Sequence, residues 1–225
     1  IPVFGALPIL PADFSADALF LTGGNATTMA AIVALAVEKY EATSVGIVSS
    51  DNPAAASSEA ALTATLDKAG VSYKSVKGGD NETDAGFQGL MREANSDNPD
   101  VLVSLYSDAG CIGAMRGRVS LGIDTPTIST AICGSAEVID VVGDDAIGWS
   151  FVGVGGQSDR PDAAALADLI EPAYGDTPST SLGLGALGIN QVMTLAKVAN
   201  NLAASGAEVT GASIYERLAT GTDDV

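Results

Sequence analysis

Three short stretches of this chain place small polar side chains directly after apolar runs: Ser49-Ser50-Asp51-Asn52, Tyr106-Ser107-Asp108 and Thr130-Ala131-Ile132-Cys133. Each run reads as a β-strand and each polar stretch as the turn into a helix. Hydroxyl and amide groups would then stand beside helix N-terminal N–H groups, an edge that suits a small polar or anionic ligand. Taken singly, Asp51, Asn52, Ser107 and Asp108 are better explained as helix caps. Three such turns on one sheet edge put binding level with capping.

Other chemistry is harder to build. The chain has no histidine, which removes every His-based triad, His general base and His metal site. Neither a G-x-S-x-G elbow nor an S-x-x-K pair occurs. Asp80, Glu82 and Asp84 open a helix, where negative charge suits the dipole, and Asp144-Asp145 falls in a turn. Neither group meets the calcium-loop spacing. Gly153-Val154-Gly155-Gly156 follows a strand but runs into polar residues and Pro161. Gly183-Leu184-Gly185-Ala186-Leu187-Gly188 has G-x-G-x-x-G spacing without a strand before it, so close helix packing accounts for it better than a nucleotide. Gly23-Gly24 and Gly78-Gly79 read as turn residues. An enzyme, a cofactor and a metal site are all unexpected.

The elements that must position the polar turns follow from hydrophobic periodicity. Strands are predicted at 18–22, 44–48, 71–76, 101–106, 126–130 and 149–152. Helices are predicted between them: one capped by Asn25 or Thr27, then about 53–69 ending at Gly70, 84–95, 109–121 ending at Gly122, and 136–142. Five β–α units in series with nearly unbroken apolar strands predict an α/β fold. Its core would be a doubly wound parallel sheet with helices on both faces. Residues 153–160, rich in glycine and polar side chains, read as a boundary, and 161–175, 183–204 and 211–220 as a helical C-terminal segment.

Composition narrows the partners. Of 225 residues, 47% are hydrophobic and 17% charged, so the chain can bury a core and is not disordered. Its 10 basic residues form no cluster against 28 acids, which argues against a nucleic-acid partner. The net charge of −18 favours solubility. No stretch is long and apolar enough to span a bilayer. The chain starts at Ile1 rather than Met, and any targeting segment would lie upstream. By count alone, Cys111 and Cys133 fit one disulfide or two thiols equally.

Several stretches carry a resemblance: Ile1-Pro2-Val3 followed by Leu19-Phe20-Leu21-Thr22; Ser44-Val45-Gly46-Ile47-Val48 with Ser50-Asp51-Asn52; and Asn98-Pro99-Asp100-Val101-Leu102-Val103. Gly122-Ile123-Asp124-Thr125-Pro126-Thr127 and Gly185-Ala186-Leu187-Gly188-Ile189-Asn190-Gln191-Val192 add to them. In order and spacing they resemble the middle and later part of a type I periplasmic solute-binding protein, of the branched-chain amino acid (leucine/isoleucine/valine) binding family of ABC importers. That resemblance implies two α/β lobes joined by a three-stranded hinge and closing on a ligand. Residues 1–22 would be the end of the first lobe and the hinge crossover, 23–152 the second lobe, and 153–225 a hinge return with helices packing on the first lobe. The family's opening stretch would be missing from this chain.

The same resemblance implies a ligand set. Gly5, Ala6 and Leu7 fall where the family's first lobe offers backbone groups to the ligand carboxylate. Ser50, Asp51, Asn52, Ser107, Asp108, Ala131 and Ile132 fall on the second-lobe contact loops. Amino-acid binders of the family often place an acid in the third loop to hold the α-ammonium, and this chain has Ala131-Ile132 there. Either Asp108 replaces that charge or the ligand lacks an amine. The implied function is capture of a small polar solute (an amino acid, amide or carboxylate) and its delivery to an ABC permease. The setting would be periplasmic or extracellular, with membrane contact only through a lipid anchor upstream. A ligand-sensing receptor or regulator domain on the same fold is the alternative. An exported protein permits a disulfide. Because Cys111 follows one strand and Cys133 the next, a Cys111–Cys133 bridge is expected if those strands are neighbours.

Overall fold

The computed structural model describes residues 3–5, 7–15, 17–153, 168, 172 and 185–220. Its centre is β3 (Ser44–Ser50), a run of small and β-branched residues without polar alternation, and every residue after Ser44 is buried. Such a strand must be covered on both faces. It pairs in parallel with β4 (Ser72–Gly78) on one side and β5 (Val101–Leu105) on the other. Strands β6 (Thr127–Thr130) and β7 (Trp149–Val152) extend the sheet, giving the all-parallel order β4-β3-β5-β6-β7.

The pleat sends alternate residues to two cores. Val45, Ile47, Val101, Val103, Leu105 and Ile128 meet Met29, Ile32, Leu62 and Leu66 from α1 (Gly24–Tyr40) and α2 (Pro53–Ala69). Val48, Leu102 and Tyr106 meet Phe87, Met91, Met115 and Val138 from α3 (Asp84–Ala94), α4 (Asp108–Ser120) and α5 (Ala136–Val142). Each fully buried aliphatic side chain contributes about 1.5–3 kcal/mol. The doubly wound arrangement expected from the sequence is the one observed.

Chain direction reverses about β3: the chain steps outward to β4, then crosses back to β5 on the other side. The carboxyl ends of β3 and β5 therefore flank the switch point of the sheet, where helices leave to opposite faces and a crevice forms. Polar anchors hold this frame. Asp100 Oδ2 accepts from the N–H and hydroxyl groups of both Thr43 and Ser44, at 2.8–3.0 Å, joining the starts of β3 and β5. The buried guanidinium of Arg118 donates to Thr125 O from Nε (3.2 Å) and Nη2 (3.1 Å) and to Ile147 O from Nη1 (3.0 Å). It thereby ties α4 to the approaches of β6 and β7.

Three local expectations need correcting. The first predicted strand lies outside the five-stranded sheet: β2 (Leu19–Phe20) pairs in parallel with β1 (Phe4–Gly5) as a separate two-stranded sheet. Helix α1 is capped by neither Asn25 nor Thr27. It starts at Gly24, which has φ +63° and packs against Pro8, while the Asn25 N–H donates to Pro8 O at 2.9 Å. A side chain at Gly24 would strike that carbonyl, so this glycine is a close-approach residue rather than an ordinary turn. Gly78 closes β4, where an added Cβ would meet Leu90 and the Tyr106 hydroxyl.

The C-terminal segment is helical where described, as α6 (Gly185–Ala204) and α7 (Gly211–Thr220). Gln191 Nε2 donates to Phe4 O at 2.5 Å and Tyr215 Oη to Asp17 Oδ1 at 3.1 Å, so both helices return to the β1–β2 region. The predicted helix at 161–175 and nearly all of the 153–160 boundary lie outside the described residues, apart from Gly153, Asp168 and Pro172. Among the described residues no helix is long and apolar enough to cross a membrane.

Candidate functional site

The carboxyl ends of β3, β5, β6 and β7 open into a cavity of about 240 Å³. Its floor is Ser50 and Asn52 after β3, Leu105 to Ser107 after β5, Thr130 to Ile132 after β6, and Val152 and Gly153 at the end of β7. Asn25, Thr28 and Met29 enter from the first turns of α1, and Ala54, Ala55 and Ser58 from those of α2. Leu7, Ile9 and Leu187 close it from outside the five-stranded unit, the last from α6.

Local chemistry fixes the walls. Asn52 is the N-cap of α2: its Oδ1 accepts from Ala55 N at 2.8 Å, and Pro53 follows at the first helical position. Its Nδ2 donates to Ser50 Oγ and to Asp80 Oδ1, both at 2.9 Å, and the Ser50 hydroxyl donates to the same Asp80 oxygen. Across the cavity mouth, Ser58 Oγ donates to Asn25 Oδ1 at 3.0 Å, while Asn25 Nδ2 reaches Ile9 O at 3.5 Å. Ser57 Oγ also donates to Ile9 O, at 3.0 Å. Asp13 Oδ2 accepts from the N–H groups of Ile9 and Leu10 at 2.8 Å, which shapes the closing segment and holds the Asp13 carboxyl below the ordinary carboxylate range.

The third loop is fixed covalently. Cys111 and Cys133 form a disulfide with Cα atoms 5.3 Å apart, and both sulfurs lie 3.4–3.5 Å from the Tyr106 carbonyl oxygen. Ala131 and Ile132 are thereby pinned to the first turn of α4, and Ala131 N donates to Val152 O at 2.8 Å. Burial, with the nearby Glu82 and Asp80 carboxylates adding to it, pushes the Tyr106 hydroxyl up to about 12. The phenol is therefore neutral at any physiological pH.

Of the binding positions read from the sequence, Leu7, Ser50, Asn52, Ser107, Ala131 and Ile132 line this cavity, whereas Asp51 stands exposed beside it. Asp51 N donates to Gly78 O at 2.8 Å. Asp108 is also exposed and off the lining, as the first residue of α4 with φ +45°. Gly5 is held within β1 under the Phe20 ring, and Ala6 lies outside the described residues. Ser107 occupies the N-cap position of α4 but its hydroxyl makes no capping bond. Asp80 departs from its reading as a helix-opening charge: Thr83 caps α3 through Gly86 N, Glu82 Oε1 accepts from Gly79 N, and Asp80 turns to Ser50 and Asn52 instead.

The sequence reading did not find Asp80 as a neighbour of the site, nor Asn25, Ser58, Ile9 and Leu187. Asn25 and Ser58 meet only because α1 packs on α2, and Leu187 lies far along the chain, so no local spacing could have signalled them. Among the described residues no group of three or more His, Cys, Asp or Glu side chains could hold a metal ion.

A family model described as periplasmic binding protein matches residues 1–224. No curated protein matches the sequence. Among solved structures, an extracellular ligand-binding receptor from Verminephrobacter eiseniae aligns over 91% of this chain and 58% of its own, with TM-score 0.76 and 13% identity. A leucine binding protein from Thermotoga maritima aligns over 89% and 56%, with TM-score 0.72 and 17% identity. A solute binding protein of an ABC transporter from Rhodopseudomonas palustris, in complex with 4-hydroxybenzoate, aligns over 88% and 54%, with TM-score 0.66 and 19% identity. At these identities the likeness shows the fold. The chain spans a little over half the length of the structures it matches.

Proposed function

The chain belongs to the periplasmic binding protein family, and from that premise we propose that it captures a small organic solute outside the cytoplasm and delivers it to an ABC importer. The observation that carries this reading is the two-sided cavity: four strand ends and two helix starts on one side, Leu7, Ile9 and Leu187 from distant parts of the chain on the other. A site built from two separately held walls changes its free energy when the walls approach. Solute binding then shifts the open form toward the closed one, with residues 23–152 as one jaw and the segments 1–22 and 153–225 belonging to the hinge and the other.

The Cys111–Cys133 disulfide supports an oxidising, extracytoplasmic setting. Among the described residues nothing at the cavity favours turnover. Its hydroxyls have no histidine or lysine beside them, and the described lining residues include no Asp, Glu, Lys or Arg. Ser50, Asn52, Ser107, Ala131 and Ile132 are proposed as contacts of the solute from the second jaw, and Leu7 from the first.

A thermal-shift screen of amino acids, amides, aliphatic carboxylates and aromatic acids tests the capture reading. At least one class should raise Tm in a concentration-dependent way. Flat melting temperatures across all four classes would overturn it.

A further inference from the structure

We propose that the solute is a small carboxylate with an apolar body and no ammonium group; this rests on the capture reading and names the chemistry of that same cavity. The argument begins with charge. No acidic side chain is found among the described lining residues. The nearest carboxylates are committed or turned away: Asp80 is occupied by Ser50 and Asn52, and Asp51 and Asp108 are exposed outside the lining. Among the described residues a buried ammonium would therefore lack a counter-charge, and an unpaired buried charge is costly.

Orientation of the backbone acts in the same direction. Two helices, α1 and α2, present their first turns to the cavity through Asn25 and Thr28 and through Ala54 and Ala55, and Ser107 brings the N-cap of α4 to it. The N-terminal end of each carries partial positive charge, which attracts an anion and repels a cation. At α2 the Asn52 side chain takes the Ala55 N–H, at α1 the Gly24 and Asn25 N–H groups go to Thr22 Oγ1 and Pro8 O, and α4 alone of the three has no side-chain partner at its start. The Ser107 and Thr130 hydroxyls make no hydrogen bond among the described residues, although most other polar groups of the lining are already paired with protein. Both stand at the β5–β6 side and can donate to a carboxylate there. The remaining wall is aliphatic, with Leu7, Ile9, Met29, Ile132 and Leu187.

The test compares matched pairs by isothermal titration calorimetry on the full chain: leucine against 4-methylpentanoate, and phenylalanine against 3-phenylpropanoate. Each desamino acid should bind at least about tenfold more tightly than its amino-acid twin. Asp108→Asn should leave that preference unchanged, because asparagine also tolerates the left-handed backbone at this position. Equal or tighter binding of either amino acid would overturn the proposal while leaving capture standing. So would loss of binding in Asp108→Asn. If none of the four compounds binds and the broader screen finds only amino acids or amides, this assignment alone fails, whereas a hit among its carboxylates or aromatic acids supports it. If neither set binds, the capture reading fails with it.

Discussion

Asp80 and Asn52 meet at 2.9 Å, carboxylate oxygen to amide nitrogen, across the turns that leave β4 and β3. The same Asp80 oxygen accepts the Ser50 hydroxyl. Asp80 does not line the cavity, yet it orients the two polar side chains that do so after the central strand. It is a positioning residue, and its partners are satisfied by it before any solute arrives.

Asp80→Ala should therefore weaken solute binding by about tenfold, the scale of losing a charge-assisted hydrogen bond. The fold should persist, because Thr83 rather than Asp80 caps α3. Calorimetric affinity together with an unchanged far-UV circular dichroism spectrum checks this. Affinity at the wild-type level would show that Ser50 and Asn52 need no orienting partner.

Replacing both cysteines, Cys111→Ser with Cys133→Ser, should cost about 3 kcal/mol of unfolding free energy. That is the chain-entropy expectation for a bridge of sequence separation 22. Urea denaturation read by circular dichroism measures it. The double variant should also bind solute more weakly, since Ala131 and Ile132 lose their tie to α4.

Acid sensitivity should centre partly on Asp100. The N–H and hydroxyl groups of Thr43, with those of Ser44, hold its carboxyl below the ordinary carboxylate range. A group whose pKa is lowered by folding contributes stability that is present above its unfolded pKa, near 3.9, and is lost as pH falls through its folded value. Asp100→Asn should accordingly be less stable than wild type at pH 7 and lose stability less steeply between about pH 5 and pH 2. A series of urea midpoints over that range gives the two slopes; parallel slopes would contradict the assignment.

Arg118→Met should destabilise by about 1–3 kcal/mol, because it keeps the buried stem but removes the guanidinium donor of Ile147 O and leaves Thr125 O with only the Thr127 hydroxyl. Burial lowers the pKa of this guanidinium, with Asp124 opposing, and lysine cannot reproduce its planar fork. Arg118→Lys should therefore recover only part of the loss. Denaturant unfolding of the two variants side by side decides it.

Strands β3 to β7, the helices between them and the doubly wound class were legible because periodicity and helix stops are local properties of the chain. Val45, Ile47, Val101 and Val103 announce a doubly covered sheet by being continuously apolar, and Gly70, the left-handed C-cap of α2, marks the end of its helix by type alone. Ser50, Asn52, Ser107, Ala131 and Ile132 were legible as loop positions for the same reason, since the carboxyl ends of parallel strands share one edge. Tertiary structure decided what those positions face. Asp80 joined Ser50 and Asn52 because β4 pairs with β3; Asp108 turned to solvent because its backbone enters α4 from a left-handed conformation. Asn25 met Ser58 through helix packing, and Leu187 came back to the cavity from the far end of the chain. Local spacing dictates which residues stand at a strand end. The direction of a side chain and its charge partner depend on contacts between segments distant in sequence, and those exist only once the chain has packed.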